Sequence, residues 1–224
     1  HMDAVNTQAI RPNNHMPSYG RDMASWIGQA NLVLCLGDVG DRNILARYMA
    51  QLGHEVTVLG FGSLDEPDEE TDQGVRVIRL WPGSIHWYAG KLPFIGKSLM
   101  LAAREIEKSW QMYRAAKKMH QKNAFDLIEG TETNSLLFSL FPLSLFVIRL
   151  HAEDYTYAKH TGRAPAAAEC IRRKLQRVAL RRAHRLISPS KAHAEEIRQE
   201  LKIRAFPIDV VPNALTETAL AALR

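Results

Sequence analysis

His151 stands directly after the apolar run FVIRL (146–150), with Glu153 and Asp154 close behind it. An imidazole that titrates near neutrality beside carboxylates has the makings of an acid–base or ligand-orienting site. A histidine at this place can equally be structural. A second cluster, Glu129-Gly130-Thr131-Glu132, puts two carboxylates and a hydroxyl at the end of the run DLI (126–128). The turn GDVGDRN (37–43) is a third. Gly37 and Gly40 let backbone approach a ligand there, and a helix N-terminus behind them would offer N–H groups to a phosphate or sugar. It also reads as a plain tight turn capped by Asp41. Arg149 either meets a substrate or forms half of a buried salt bridge, because its side chain alternates with those of Ile148 and Leu150 across a sheet.

Other chemistries find less support. His151 and Glu153 would point to opposite faces of a continuing strand, and no second histidine sits at ligand spacing, so no metal is expected. There is no G-x-S-x-G elbow, and Ser188-Pro189-Ser190 reads as a strand end followed by a helix cap. A dinucleotide fingerprint needs G-x-G-x-x-G and an acid closing the second strand, whereas this chain has G-x-x-G and then Leu59-Gly60-Phe61.

The elements that must position these groups alternate along the chain. NLVLCL, EVTVL, VRVIRL, DLIE, LFVIRL, RLIS and IDVV are strand candidates separated by helical patterns. The first helix pattern places Leu45, Tyr48, Met49 and Leu52 on one face and stops at Gly53. Such alternation predicts a single α/β, Rossmann-like domain: a parallel sheet of about seven strands with helices on both faces. Ligands of such sheets gather beyond the carboxyl ends of the strands, where all three clusters would meet.

Residues 1–30 read as a tag remnant and a polar arm, 31–215 as the domain, and 216–224 as the start of a crossover toward a second domain. The segment LDEPDEETDQ (64–73) holds six acids and reads as an exposed connection. Two helices are basic. Residues 100–122 carry a net +4, and 169–185 a net +6 with Ile171, Leu175, Ala179 and Ala183 as the packing stripe. With a formal charge of +5, these surfaces are either solvated faces or a means of peripheral contact with an anionic membrane. Nucleic acid is disfavoured because no aromatic platform accompanies the arginines. Two cysteines without metal-ligand or redox spacing, and an N-terminus without the charged-then-apolar profile of a signal peptide, fit a cytoplasmic protein, on the inner membrane face if the basic helices dock there.

LARYMAQLGHEVTVLG, FDLIEG, FVIRLHAED, ALRRAHRLISPSKAHAEEI and IDVVPNAL, in that order, resemble the N-terminal, acceptor-side half of GT-B glycosyltransferases of family 4, over residues 31–215. The resemblance implies transfer of a sugar from a nucleotide-sugar donor to a sugar or lipid-linked acceptor, usually with retention, and no further cofactor. It places His151 beside the donor sugar, Gly37 and Gly40 near the donor phosphates, and Glu129, Thr131, Glu132 and Arg149 toward the acceptor. The sequence departs from the pattern in its shorter glycine turn, in Ala214 after Asn213, and in His184 where Asp is common. No E-x7-E donor motif occurs, so the chain is expected to be inactive alone. The alternatives are an NAD(P)-dependent oxidoreductase domain and a non-enzymatic membrane- or anion-binding module.

Overall fold

The structure, a computed structural model, describes residues 31–36, 43–63, 65–81, 83, 91, 96–151, 161, 162, 164, 167–202 and 207–212. The seven apolar runs become β1 (Leu32–Leu36), β2 (Glu55–Phe61), β4 (Val75–Leu80), β5 (Leu127–Thr131), β6 (Leu145–Arg149), β7 (Arg185–Ser188) and β8 (Ile208–Val210). An eighth strand, β3, spans Glu69–Asp72. The helices are α1 (Asn43–Gln51), α2 (Gly96–Lys122), α3 (Leu136–Leu140), α4 (Ala167–Leu180) and α5 (Lys191–Leu201). The sheet order is β3-β4-β2-β1-β5-β6-β7-β8, parallel throughout except for the β3–β4 pair. The expected Rossmann-like class is the fold observed, with eight strands among the described residues where about seven were expected.

Strand alternation divides the apolar residues between two cores. Leu32, Leu34 and Leu36 of β1 face one core with Ile128, Phe146, Ile148 and Leu186. Met112, Tyr113 and Ala116 of α2, Phe138 of α3, and Ala179 and Leu180 of α4 join them there. Val33 and Cys35 face the other core, with Val56, Val58, Val147 and Ile187 and with Ala46 and Met49 of α1. Helices therefore cover both faces. Polar side chains seal the strand starts: Asp126 Oδ2 accepts the N–H groups of Asn31 and Leu32, and His184 Nδ1 accepts that of Phe146. The histidine at position 184 thus does the work of a strand-start acceptor, which a carboxylate would also do.

Three sequence expectations need correction. The acidic segment 64–73 is more than a connection, because its second half pairs antiparallel with β4 through a tight turn at Gln73-Gly74. Both turn residues have positive φ, 48° and 88°, the conformation of a two-residue hairpin that keeps the strands twisted together. In α1 Leu45 and Met49 pack on the core as expected, together with Ala46 and Ala50, whereas Tyr48 and Leu52 are 42% and 55% exposed. In α4 Ile171 is exposed, while Arg173 and Gln176 are buried beside Ala179 and Leu180. Apolar periodicity marks a stripe but not its centre, and a helix wedged against α2 and α3 buries more of its circumference than one stripe predicts.

Candidate active site

The strand order reverses at β1: the chain moves outward through β2 and β4, returns along α2, and lays β5 on the other side of β1. Ligands of such sheets bind outside the carboxyl ends of the strands at this reversal, beside β1 and β5. β5 and β6 bring the expected residues to that edge, in register, with Thr131 opposite Arg149 and Glu129 opposite Val147. Glu129 also lies opposite Cys35 of β1. By alternation, Cys35, Glu129, Thr131 and Arg149 share one face of the sheet.

On that face Arg149 Nε donates to Glu129 Oε1 at 2.7 Å, and its Nη2 reaches Glu129 Oε2 at 3.5 Å. The side chains are only 8% and 12% exposed, so the alternative of a buried salt bridge is the one observed. Burial opposes the guanidinium charge, but the charge and hydrogen bond of Glu129, with a smaller contribution from Cys35, outweigh it and raise the Arg149 pKa. Arg149 is therefore a permanent cation locked to its carboxylate.

Beyond the strand ends the chain turns back on itself. Ser135, preceding α3, donates its hydroxyl to the Thr131 carbonyl, and the Thr131 and Thr133 hydroxyls lie 3.0 Å apart. Ser109 of α2 donates its hydroxyl to the Asn134 carbonyl and accepts the Leu137 N–H, tying the turn to the helix behind it. Gly130 allows this compactness: a Cβ there would come within 3.0 Å of Ser135 Oγ and 3.1 Å of the Phe146 ring. Glu132, 4% exposed, accepts the His151 backbone N–H at 2.8 Å. The exit of β6 is thus fastened to the turn after β5.

His151, Glu129, Thr131, Glu132 and Arg149 are all brought to one edge. His151 is half-buried, as are Thr133 and Asn134, whereas the other four are buried. Sequence reasoning missed Thr133 and Asn134, although they continue the polar segment EGTETNS (129–135) that follows the strand. It also missed Cys35, whose place opposite Glu129 is visible only once β1 and β5 are paired. Gly37, Gly40, Asp41, Glu153 and Asp154 lie outside the described residues, as does Asn213.

The sequence model of the glycosyl transferase 4-like domain matches residues 43–214, most of the chain. The chain belongs to the glycosyl transferase 4-like family. Among curated proteins no sequence is similar enough to count as a match. Among solved structures, the chain is similar to a sucrose-phosphate synthase from Thermosynechococcus elongatus, with 18% identity, a TM-score of 0.55, and coverage of 85% of this chain and 93% of that one. It is also similar to CalG4, the calicheamicin glycosyltransferase, with 13% identity, a TM-score of 0.51, and coverage of 85% and 54%. A third is Phytolacca americana UGT2 complexed with UDP-2fluoro-glucose and pterostilbene, at 10% identity, a TM-score of 0.51, and coverage of 87% and 56%. The chain spans about half the length of the latter two. These likenesses establish that the 4-like domain shares its fold with glycosyltransferases of GT-B architecture.

Proposed function

We propose that this 4-like domain is the acceptor-side half of a retaining glycosyltransferase that moves a sugar from a nucleotide-sugar donor to a sugar or lipid-linked acceptor. The observation that carries this reading is the convergence of His151 with the Glu129–Glu132 turn at the reversal of the strand order, in a chain of this family. In the reaction the bond from the anomeric carbon to the donor phosphate breaks, and a new one forms to an acceptor hydroxyl. With its N–H engaged by Glu132, His151 offers the imidazole and its carbonyl to the donor sugar. Thr133 and Asn134 join Thr131 as groups for the acceptor, and the Glu129–Arg149 pair stiffens the edge beneath them. The donor phosphates would meet Gly37 and Gly40, and the nucleotide would be held mainly by a second domain, without which turnover is negligible.

The outer face of α2 supports peripheral contact with an anionic membrane at the cytoplasmic surface, where a lipid-linked acceptor would reside. Ile106 and Trp110, each 49% exposed, align there with exposed Arg114 and Lys117. No helix among the described residues is long and apolar enough to cross a membrane.

Titrating the chain with UDP-glucose and with NAD, while following backbone amide resonances, tests the reading. UDP-glucose should shift the His151, Glu132 and Thr133 amides, and His151→Ala should weaken that binding about tenfold with an unchanged melting temperature. Binding of NAD without any response to the sugar nucleotide would replace this proposal with the oxidoreductase alternative.

A further inference from the structure

At the other end of the sheet, the last two turns of α2 stand over the amino ends of β1, β2 and β4 and leave a cavity of about 300 Å3. Leu32, Ile78, Ala115, Met119 and Phe125 form its apolar lining, with the side chain of Thr57 among them. Its origin lies in α2 itself. The helix is seated on the sheet by Met112, Tyr113 and Ala116, and the side chains turned toward β4 include the small Ala115. Ala115 leaves room above Thr57 and Ile78 that a leucine would occupy.

Charge surrounds this apolar space unevenly. Arg76, Lys118, Lys122 and Glu55 also line it. Arg76 is matched by Glu69, its Nε donating to Glu69 Oε1 at 2.7 Å, and Glu55 adds to the negative field around it. Lys118 and Lys122 stand one turn apart on α2, both exposed, and neither has an ion-pair partner among the described residues. The cavity therefore combines a greasy lining with two uncommitted ammonium groups at its mouth.

We propose that this cavity is a second binding site, for an amphiphilic anion. An acyl chain would lie along the apolar lining, while Lys118 and Lys122 hold its carboxylate or phosphate head. A bare anion would leave the apolar lining unused, and a neutral hydrocarbon would leave the lysines unused. The site is formed at the amino ends of the strands, opposite the carboxyl edge that carries His151, so it stands independently of the glycosyl-transfer reading.

Titration of the 224-residue chain with decanoate, and separately with inorganic phosphate, distinguishes the possibilities through the amide resonances of Thr57, Met119 and Phe125. Decanoate should shift these amides saturably and leave His151 and Glu132 unmoved, while phosphate at equal concentration should leave all of them unmoved. The paired substitution Lys118→Gln with Lys122→Gln touches only exposed side chains, and it should weaken decanoate binding at least tenfold. Met119→Trp should fill the cavity and abolish binding. Phosphate acting as strongly as decanoate, or decanoate binding that survives both variants, overturns the proposal.

Discussion

Two arginine–glutamate pairs join neighbouring strands of this sheet with the same 2.7 Å contact, one at the carboxyl edge and one in the β3–β4 hairpin. Arg149 and Glu129 are 8% and 12% exposed, whereas Arg76 and Glu69 are 53% and 56% exposed. Equal geometry does not mean equal consequence. In water the attraction is screened and competes with hydration, while in a dry environment each charge depends on its partner. The comparison teaches that the site edge is fastened by a pair buried on both sides that must stay intact, whereas the hairpin's Arg76–Glu69 pair can open and leave the buried Arg79 to hold Glu70.

The largest expected effect tests the buried side directly. Arg149→Ala leaves the Glu129 charge buried without its cation and should cost about 3–5 kcal/mol in denaturant unfolding, whereas combining Arg149→Met with Glu129→Leu should recover most of that loss. A cost for the single variant no greater than that of Arg76→Ala would break the comparison. Gly130→Ala comes next. Its methyl group would press on Ser135 and Phe146, so a loss of about 1–3 kcal/mol is expected, with weakened exchange protection at His151 as the turn moves.

The smallest effect belongs to the hairpin. Glu69 is held below its ordinary pKa by the hydrogen bond and charge of Arg76, and Glu66 chiefly by hydrogen bonds from Ser63. Because folding lowers these values, their stabilisation is complete above the ordinary carboxylate pKa and is lost as the pH falls through the lower folded values. Hydrogen exchange should therefore show β3 separating from β4 below about pH 4, ahead of the core strands. In about 1 M salt the exposed pair should weaken, with the Arg149–Glu129 pair little changed. Simultaneous loss of hairpin and core protection on acidification would show that the two regions are not energetically distinct.

Much of this architecture was legible because alternation is local. Leu32, Leu34 and Leu36 against Val33 and Cys35 announce a strand buried on both faces, and seven such runs separated by helical patterns leave few alternatives to a parallel sheet. The hairpin escaped notice because six acids in ten residues resemble a solvated loop, and their partners Arg47, Arg76 and Arg79 are recognisable only after pairing. His151 was legible as a strand exit on the ligand edge. Its attachment to Glu132 was not, since that bond spans 19 residues and depends on the turn held by Gly130 and Ser135.

The sequence by itself determined seven of the eight strands, which of their side chains share a face, and that His151 and the Glu129–Glu132 turn emerge at the same ends of their strands. Those properties follow from the two-residue period of a strand and from the handedness of parallel connections. Only the tertiary structure decided that Arg149 would be neutralised by Glu129, that Glu132 would hold the backbone of His151, and that α2 would leave a lysine-rimmed cavity over β2 and β4. Each of these depends on strand neighbours or helix placement across the sheet, where distance in space is unrelated to distance along the chain.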